Sequence, residues 1–242
     1  MDHRRINRRT ALLRIMAAGM AATATVPILG ACGGQPGSPL ATSAAHGVPG
    51  ATTDPSGQDT TADTIMIIRH AEKPTGKNAP FGIDRNGNQS AGSLTVQGWA
   101  RAGALAELLD PLRPEPIRQG LTRPTDVYAA KPDGDASQRP SQTVAPLAAR
   151  LGVTVNTLYG KGDEAALAKE ITARHGAILV SWQHEEIPAI VHGLGAVHPA
   201  APAIWPDDRF DLVWVFTRDG DGWRFSQVPQ LLLAGDTPDP IR

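Results

Sequence analysis

Cysteine is nearly absent: Cys32 is the only one in 242 residues, which excludes an intrachain disulfide and a cysteine-built zinc site. Charge of one sign is missing too. With a formal net charge of -1 and no basic run beyond its extreme N-terminus, the chain lacks the electrostatic footprint of a nucleic-acid binder. Three catalytic signatures are also absent. His184-Glu185-Glu186-Ile187-Pro188 lacks the second histidine of a His-Glu-x-x-His zinc site. Neither a Gly-x-Ser-x-Gly elbow nor a phosphate-binding loop ending in Gly-Lys-Ser/Thr occurs. No internal repeat is present.

The N-terminus reads Arg4-Arg5-Ile6-Asn7-Arg8-Arg9-Thr10-Ala11-Leu12-Leu13-Arg14, then a mostly apolar run from Ile15 to Leu29, then Gly30-Ala31-Cys32. A basic head, an apolar middle and a small-residue end predict an export signal over residues 1–32. Asn7-Arg8-Arg9-Thr10-Ala11-Leu12 resembles a twin-arginine signal, with Ala11 where that pattern prefers a larger apolar residue. Leu29-Gly30-Ala31-Cys32 resembles a bacterial lipobox. That resemblance implies lipidation of Cys32 and anchorage to the cell membrane as a lipoprotein. An uncleaved signal anchor is the alternative, because the apolar run is near the lower limit of a spanning helix. Both place the folded part outside the cytoplasm. Residues 33–63 are rich in Gly, Pro, Ser, Thr and Ala without apolar periodicity, and so predict a flexible linker with a typical span of ~30 Å.

From Thr64 to residue 242 strand and helix patterns alternate. Ile65-Met66-Ile67-Ile68 reads as a strand buried on both faces, which puts Arg69-His70-Ala71-Glu72 at its C-terminal end. In open α/β sheets this is the edge where ligands bind. A polar loop from Lys73 to Ser93 follows, and then Thr95 is placed to cap a helix over Val96–Leu109. A second strand is expected at Asp126–Ala129. Pro140 suits the first turn of the next helix, which leaves Arg139 at the helix N-terminus, where an anion would bind; Pro146 should kink that helix or displace its start. A third strand is expected at 153–158, a helix from Asp163 to Arg174, a buried strand at Ala177–Trp182, and a helix from about Glu186 to Leu194. Two β-rich runs flanking Arg218-Asp219-Gly220-Asp221-Gly222 predict a hairpin. The sum is a three-layer αβα sandwich with a mostly parallel mixed sheet and a C-terminal antiparallel hairpin.

Three strand ends thus deliver Arg69 with His70, Arg139, and His184 with Glu185 to one sheet edge. A guanidinium beside a neutral imidazole suits phosphate, offering a fork of donors and a nucleophilic nitrogen. With these residues in place, the chain resembles the histidine phosphatase (phosphoglycerate mutase-like) superfamily. The likeness is carried by Arg69-His70-Ala71-Glu72, Leu94-Thr95-Val96-Gln97-Gly98, Arg139 with Gln142-Thr143, and His184, in that order. It implies that His70 is a transiently phosphorylated nucleophile, with Arg69, Arg139 and His184 around the phosphoryl oxygens. Neither metal nor cofactor is expected, since the two guanidiniums and the second imidazole can carry the charge. Glu185 is the candidate general acid, Glu186 its competitor, and Glu72 either a weaker candidate or an orienting partner for an arginine. Lys73, Glu72 and Glu186 are candidate contacts to a phosphorylated small-molecule substrate. Lys73 stands where many members carry Ser or Thr, and the acid-bearing insertion of the mutase branch is missing, which argues against a sugar-phosphate mutase. A different class remains open: a non-catalytic lipoprotein that keeps the fold to bind an anion or a cell-envelope partner. Arg174-His175-Gly176 looks more like the family's usual Arg-His-Gly, but it precedes a strand and falls at the opposite edge of the sheet.

Overall fold

Strand β1 (Thr64–Arg69) is buried along its whole length, as an apolar run with sheet on both sides and helices over both faces requires. The computed structural model describes residues 63–113, 115–134 and 137–242. The export signal expected at 1–32, with Cys32, and linker residues 33–62 lie outside the described residues. Asp63, assigned to the linker from sequence, belongs to the fold: its carboxylate accepts from Gly176 N–H at 2.8 Å and meets His175 Nδ1 at 2.9 Å.

The elements after β1 are α1 (Val96–Leu109), β2 (Asp126–Ala129), α2 (Arg139–Leu151), α3 (Glu164–Thr172), β3 (Ala177–Trp182), α4 (Ile187–Gly193), β4 (Val197–His198), β5 (Leu212–Asp219) and β6 (Gly222–Pro229). The sheet order is β2-β3-β1-β5-β6-β4. Strands β1, β2 and β3 run parallel, β5 is antiparallel to β1 and β6, and β4 is parallel to β6. Because successive strand residues point to opposite faces, β1 feeds two cores. Met66 and Ile68 meet Leu105 and Leu109 of α1 and Val144 and Leu147 of α2, while Ile65 and Ile67 meet Leu167 and Ile171 of α3 and Ile187 and Ile190 of α4. Each such side chain contributes about 1.5–3 kcal/mol on burial. The fold is therefore an αβα sandwich with a mixed, mostly parallel sheet.

Local chemistry sets the helix ends. Thr95 Oγ1 accepts from Gly98 N–H at 3.2 Å, and Gly152, at φ 70°, closes α2 in the left-handed conformation that glycine adopts without strain. Helix α2 starts at Arg139 as expected and continues through Pro146, so its start is not displaced. Asp163 precedes α3 without capping it; its Oδ2 accepts from Gly160 N–H at 2.9 Å instead. That helix ends at Thr172, short of Arg174.

The strand expected at 153–158 is not formed. The segment touches β2 through one bridge, with Asn156 N–H on Val127 O at 2.8 Å and Ala129 N–H on Asn156 O at 3.0 Å. Val153 and Val155 pack beside the core, which explains the apolar signal, but the four-residue β2 is too short a template and Leu158 is left exposed. Beyond the β5–β6 hairpin, β4 pairs on the outer side of β6 and forms that edge of the sheet. Among the described residues no helix is long and apolar enough to cross a membrane.

Candidate active site

Strands β1 and β3 are neighbours in register, with Arg69 opposite Trp182 and His70 N–H donating to Trp182 O at 2.9 Å. The chain leaves β1 toward α1 on one face of the sheet and leaves β3 toward α4 on the other. A crevice opens between strand ends that diverge in this way. His70 and His184 follow those two ends, and α2, packed beside α1, brings Arg139 on its first turn. Thr143 joins the pieces: its hydroxyl donates to Arg139 O at 2.8 Å and accepts from Ala71 N–H at 2.8 Å. Gly98 allows α1 to approach, because a Cβ there would sit 2.5 Å from Glu72 O.

His70 is buried, and its Nδ1 lies 2.8 Å from Ala71 O. A carbonyl only accepts, so the ring proton sits on Nδ1 and Nε2 carries the lone pair. Burial lowers the pKa of His70 to about 3; the Arg139, Arg69 and Lys73 cations push the same way and the Ala71 carbonyl opposes them. The imidazole is neutral at physiological pH and free to act as a nucleophile.

Arg69 is only 1% exposed. Burial lowers its pKa to about 10, against Glu185, Asp207, Asp208 and Glu72, so it stays charged at neutral pH. Its Nη1 donates to the carbonyls of Pro206 at 3.2 Å, Arg209 at 3.3 Å and Asp207, and its guanidinium lies 3.9 Å from the centroid of the Phe210 ring. Nε and Nη2 are buried without a hydrogen-bond partner. Arg139 repeats the pattern, with Nη1 on Ala91 O at 3.2 Å and a buried, unpartnered Nε. Orphaned charged donors are costly and mark a site built for an acceptor.

His184 is buried, its Nδ1 3.0 Å from Glu185 Oε2 but not aligned to donate to it. Burial lowers its pKa, as do Arg69 and Lys73, while Glu185 and Asp207 oppose them. Burial pushes Glu185 up, but a backbone N–H, His184, Lys73 and Lys161 outweigh it and hold the carboxyl below the usual range. Glu185 lies close enough for its charge to act on Arg69 and Arg139. Glu186 is paired instead with Lys161 at 2.8 Å. Glu72 orients an arginine, but the one it holds is Arg101, at 2.8 Å, which also binds Asp236 at 2.7 Å. Lys73 lies beside the cluster, close enough to act on His70, His184 and Glu185.

Two clefts flank these residues. One of about 600 Å³ is lined by Lys73, Glu72, Asp208 and Phe210, the other of about 340 Å³ by His184, Glu185 and Trp205, and Asp207 lines both. Arg174 and His175 lie at the opposite edge of the sheet, just before β3, in surface pairs with Glu170 and Asp63. His192 and His198 are exposed. Among the described residues, no three His, Cys, Asp or Glu are grouped to hold a metal ion.

Sequence reasoning missed Phe210, Asp207 and Arg101. Arg101 carried a signal, a charge on the apolar stripe of α1 that demanded buried partners. Nothing local marked Phe210.

No protein-family model and no curated protein matches the chain. Solved structures of similar fold include the protein histidine phosphatase SixA complexed with tungstate, at 16% identity and TM-score 0.46 over 69% of this chain and 97% of that one. A phosphoserine phosphatase from Entamoeba histolytica is similar at 14% identity and TM-score 0.43, over 70% of this chain and 98% of that one. A phosphoglycerate mutase from Bacillus anthracis is similar at 10% identity and TM-score 0.40, over 71% and 95%.

Proposed function

We propose that the chain is a phosphatase hydrolysing phosphomonoesters through a phosphohistidine at His70. The observation that carries this reading is the buried, neutral His70, with Nδ1 engaged and Nε2 free, beside unpartnered nitrogens of Arg69 and Arg139. His70 Nε2 attacks phosphorus while the P–O bond to the alcohol breaks, and Glu185 supplies the proton to the leaving oxygen. Glu185 then takes a proton from the water that attacks the P–N bond, which releases inorganic phosphate and restores His70. Arg69, Arg139 and His184 stabilise the charge on the equatorial oxygens, and Lys73 adds a cation at the mouth.

The test is turnover of p-nitrophenyl phosphate by the folded domain. The wild type should hydrolyse it, His70→Ala should not, and Arg139→Ala should lose roughly 10²- to 10³-fold in kcat. Activity that survives His70→Ala unchanged would overturn the proposal. Phosphate binding without turnover by the wild type would favour the anion-binding lipoprotein. We also propose that the domain is exported and anchored to the cell membrane through a lipid on Cys32, a reading supported by the sequence of residues 4–32.

A further inference from the structure

The acid of the proposed hydrolysis must touch the leaving oxygen, so the alcohol of the substrate lies in whichever cleft Glu185 lines. That is the smaller one. Its other walls come from Pro188 at the start of α4 and from Ala203, Ile204 and Trp205 of the segment between β4 and β5. Ile204 is 73% exposed, an aliphatic side chain left in water at the rim of an otherwise functional crevice. The larger cleft, by contrast, carries Lys73, Glu72 and Asp208 and no part of Glu185.

The apolar wall is held rigidly. Trp205 Nε1–H donates to Arg209 O at 2.9 Å, and Arg209 is itself held by Asp211 at 2.8 Å and Asp239 O at 2.7 Å. Arg69 Nη1 grips the same segment at Pro206, Asp207 and Arg209, while Nε and Nη2 remain for an anion. One guanidinium therefore fixes both the phosphoryl group and the wall against which the alcohol packs. Asp207 is the acid in this cleft besides Glu185, and its charge is turned to account by Arg69.

We infer that the substrate is a phosphomonoester of an apolar alcohol, short alkyl or single-ring aryl, seated against Pro188, Ala203, Ile204 and Trp205 beside Glu185. The inference rests on Glu185 serving the proposed hydrolysis. A cleft of about 340 Å³ is at the small end of ligand sites and has room for a group of that size.

The experiment is kcat/KM for a homologous series of n-alkyl phosphates from ethyl to hexyl, in which leaving-group basicity barely changes. The expected result is a rise of about fourfold per methylene. Ile204→Ser should flatten the rise, and Leu158→Ser, an equally exposed aliphatic removed elsewhere, should leave it intact. Turnover without a rise along the series, or a rise that Ile204→Ser leaves unchanged, would overturn the inference while the hydrolytic reading stands. Turnover of none of these esters and none of p-nitrophenyl phosphate would overturn both.

Discussion

At the scale of single residues, protonation states decide what the cluster can do. Glu185 is held ionised at neutral pH in the free site, although the proposed hydrolysis requires it protonated. The ester monoanion supplies it, because a phosphate ester loses its second proton near pH 6. The expected outcome is a kcat/KM that falls about tenfold per pH unit above roughly pH 6, measured in initial-rate profiles. Glu185→Gln should cost an alkyl phosphate about 10²-fold or more, yet cost p-nitrophenyl phosphate far less, since a good leaving group needs no proton. Equal losses on both would assign Glu185 to binding. His70 provides an independent reading. Its folded pKa of about 3 is depressed below the ordinary value of 6.5, so the unfolded chain binds the extra proton between those two values. The stabilisation from keeping His70 neutral is complete above pH 6.5 and is lost as pH falls toward 3. Melting temperature should therefore drop more steeply from pH 7.5 to 5 in the wild type than in His70→Gln.

Elements bring these residues together, and here sequence and structure part company in instructive places. The apolar run of β1, the Thr95 cap, Pro140 in the first turn of α2 and the apolar run of β3 are local signals. They located Arg69, His70, Arg139 and His184 because each side chain sits at the end of an element whose boundary is written in neighbouring residues. Phe210 and Asp207 were illegible because the segment before β5 reaches Arg69 only through tertiary closure, well over a hundred residues along the chain. Arg101 was visible as an anomaly on α1, but its partners Glu72 and Asp236 come from different parts of the chain. The unformed strand at 153–158 failed for a third reason: its alternation was real, but the sheet ended beside it. Thr143 is the residue on which the junction of β1 and α2 turns. Thr143→Val should leave Ala71 N–H unpaired, lower stability by about 1–3 kcal/mol in urea titration, and reduce kcat more than it raises KM. A wild-type kcat in a folded variant would show that the bridge does not position the site.

At the scale of the whole chain, the domain for which hydrolysis is proposed follows an N-terminal sequence that resembles an export signal with a lipobox. The signal places Cys32 ahead of the residues between it and β1. Expressed in a bacterial host, the wild type should incorporate labelled palmitate and sediment with membranes, and Cys32→Ser should do neither. Labelling that persists in Cys32→Ser would remove the lipid anchor from the account. In the proposed reading the fold holds two imidazoles and two guanidiniums at the crevice where β1 and β3 part.

The covalent intermediate is the most direct test of that arrangement. Rapid acid-free quenching of the domain with ³²P-labelled ester, followed by peptide mapping, should give an acid-labile, alkali-stable phosphoryl group on His70 that forms and decays within the turnover time. Steady turnover with no label on His70, or a label stable to acid, would contradict it.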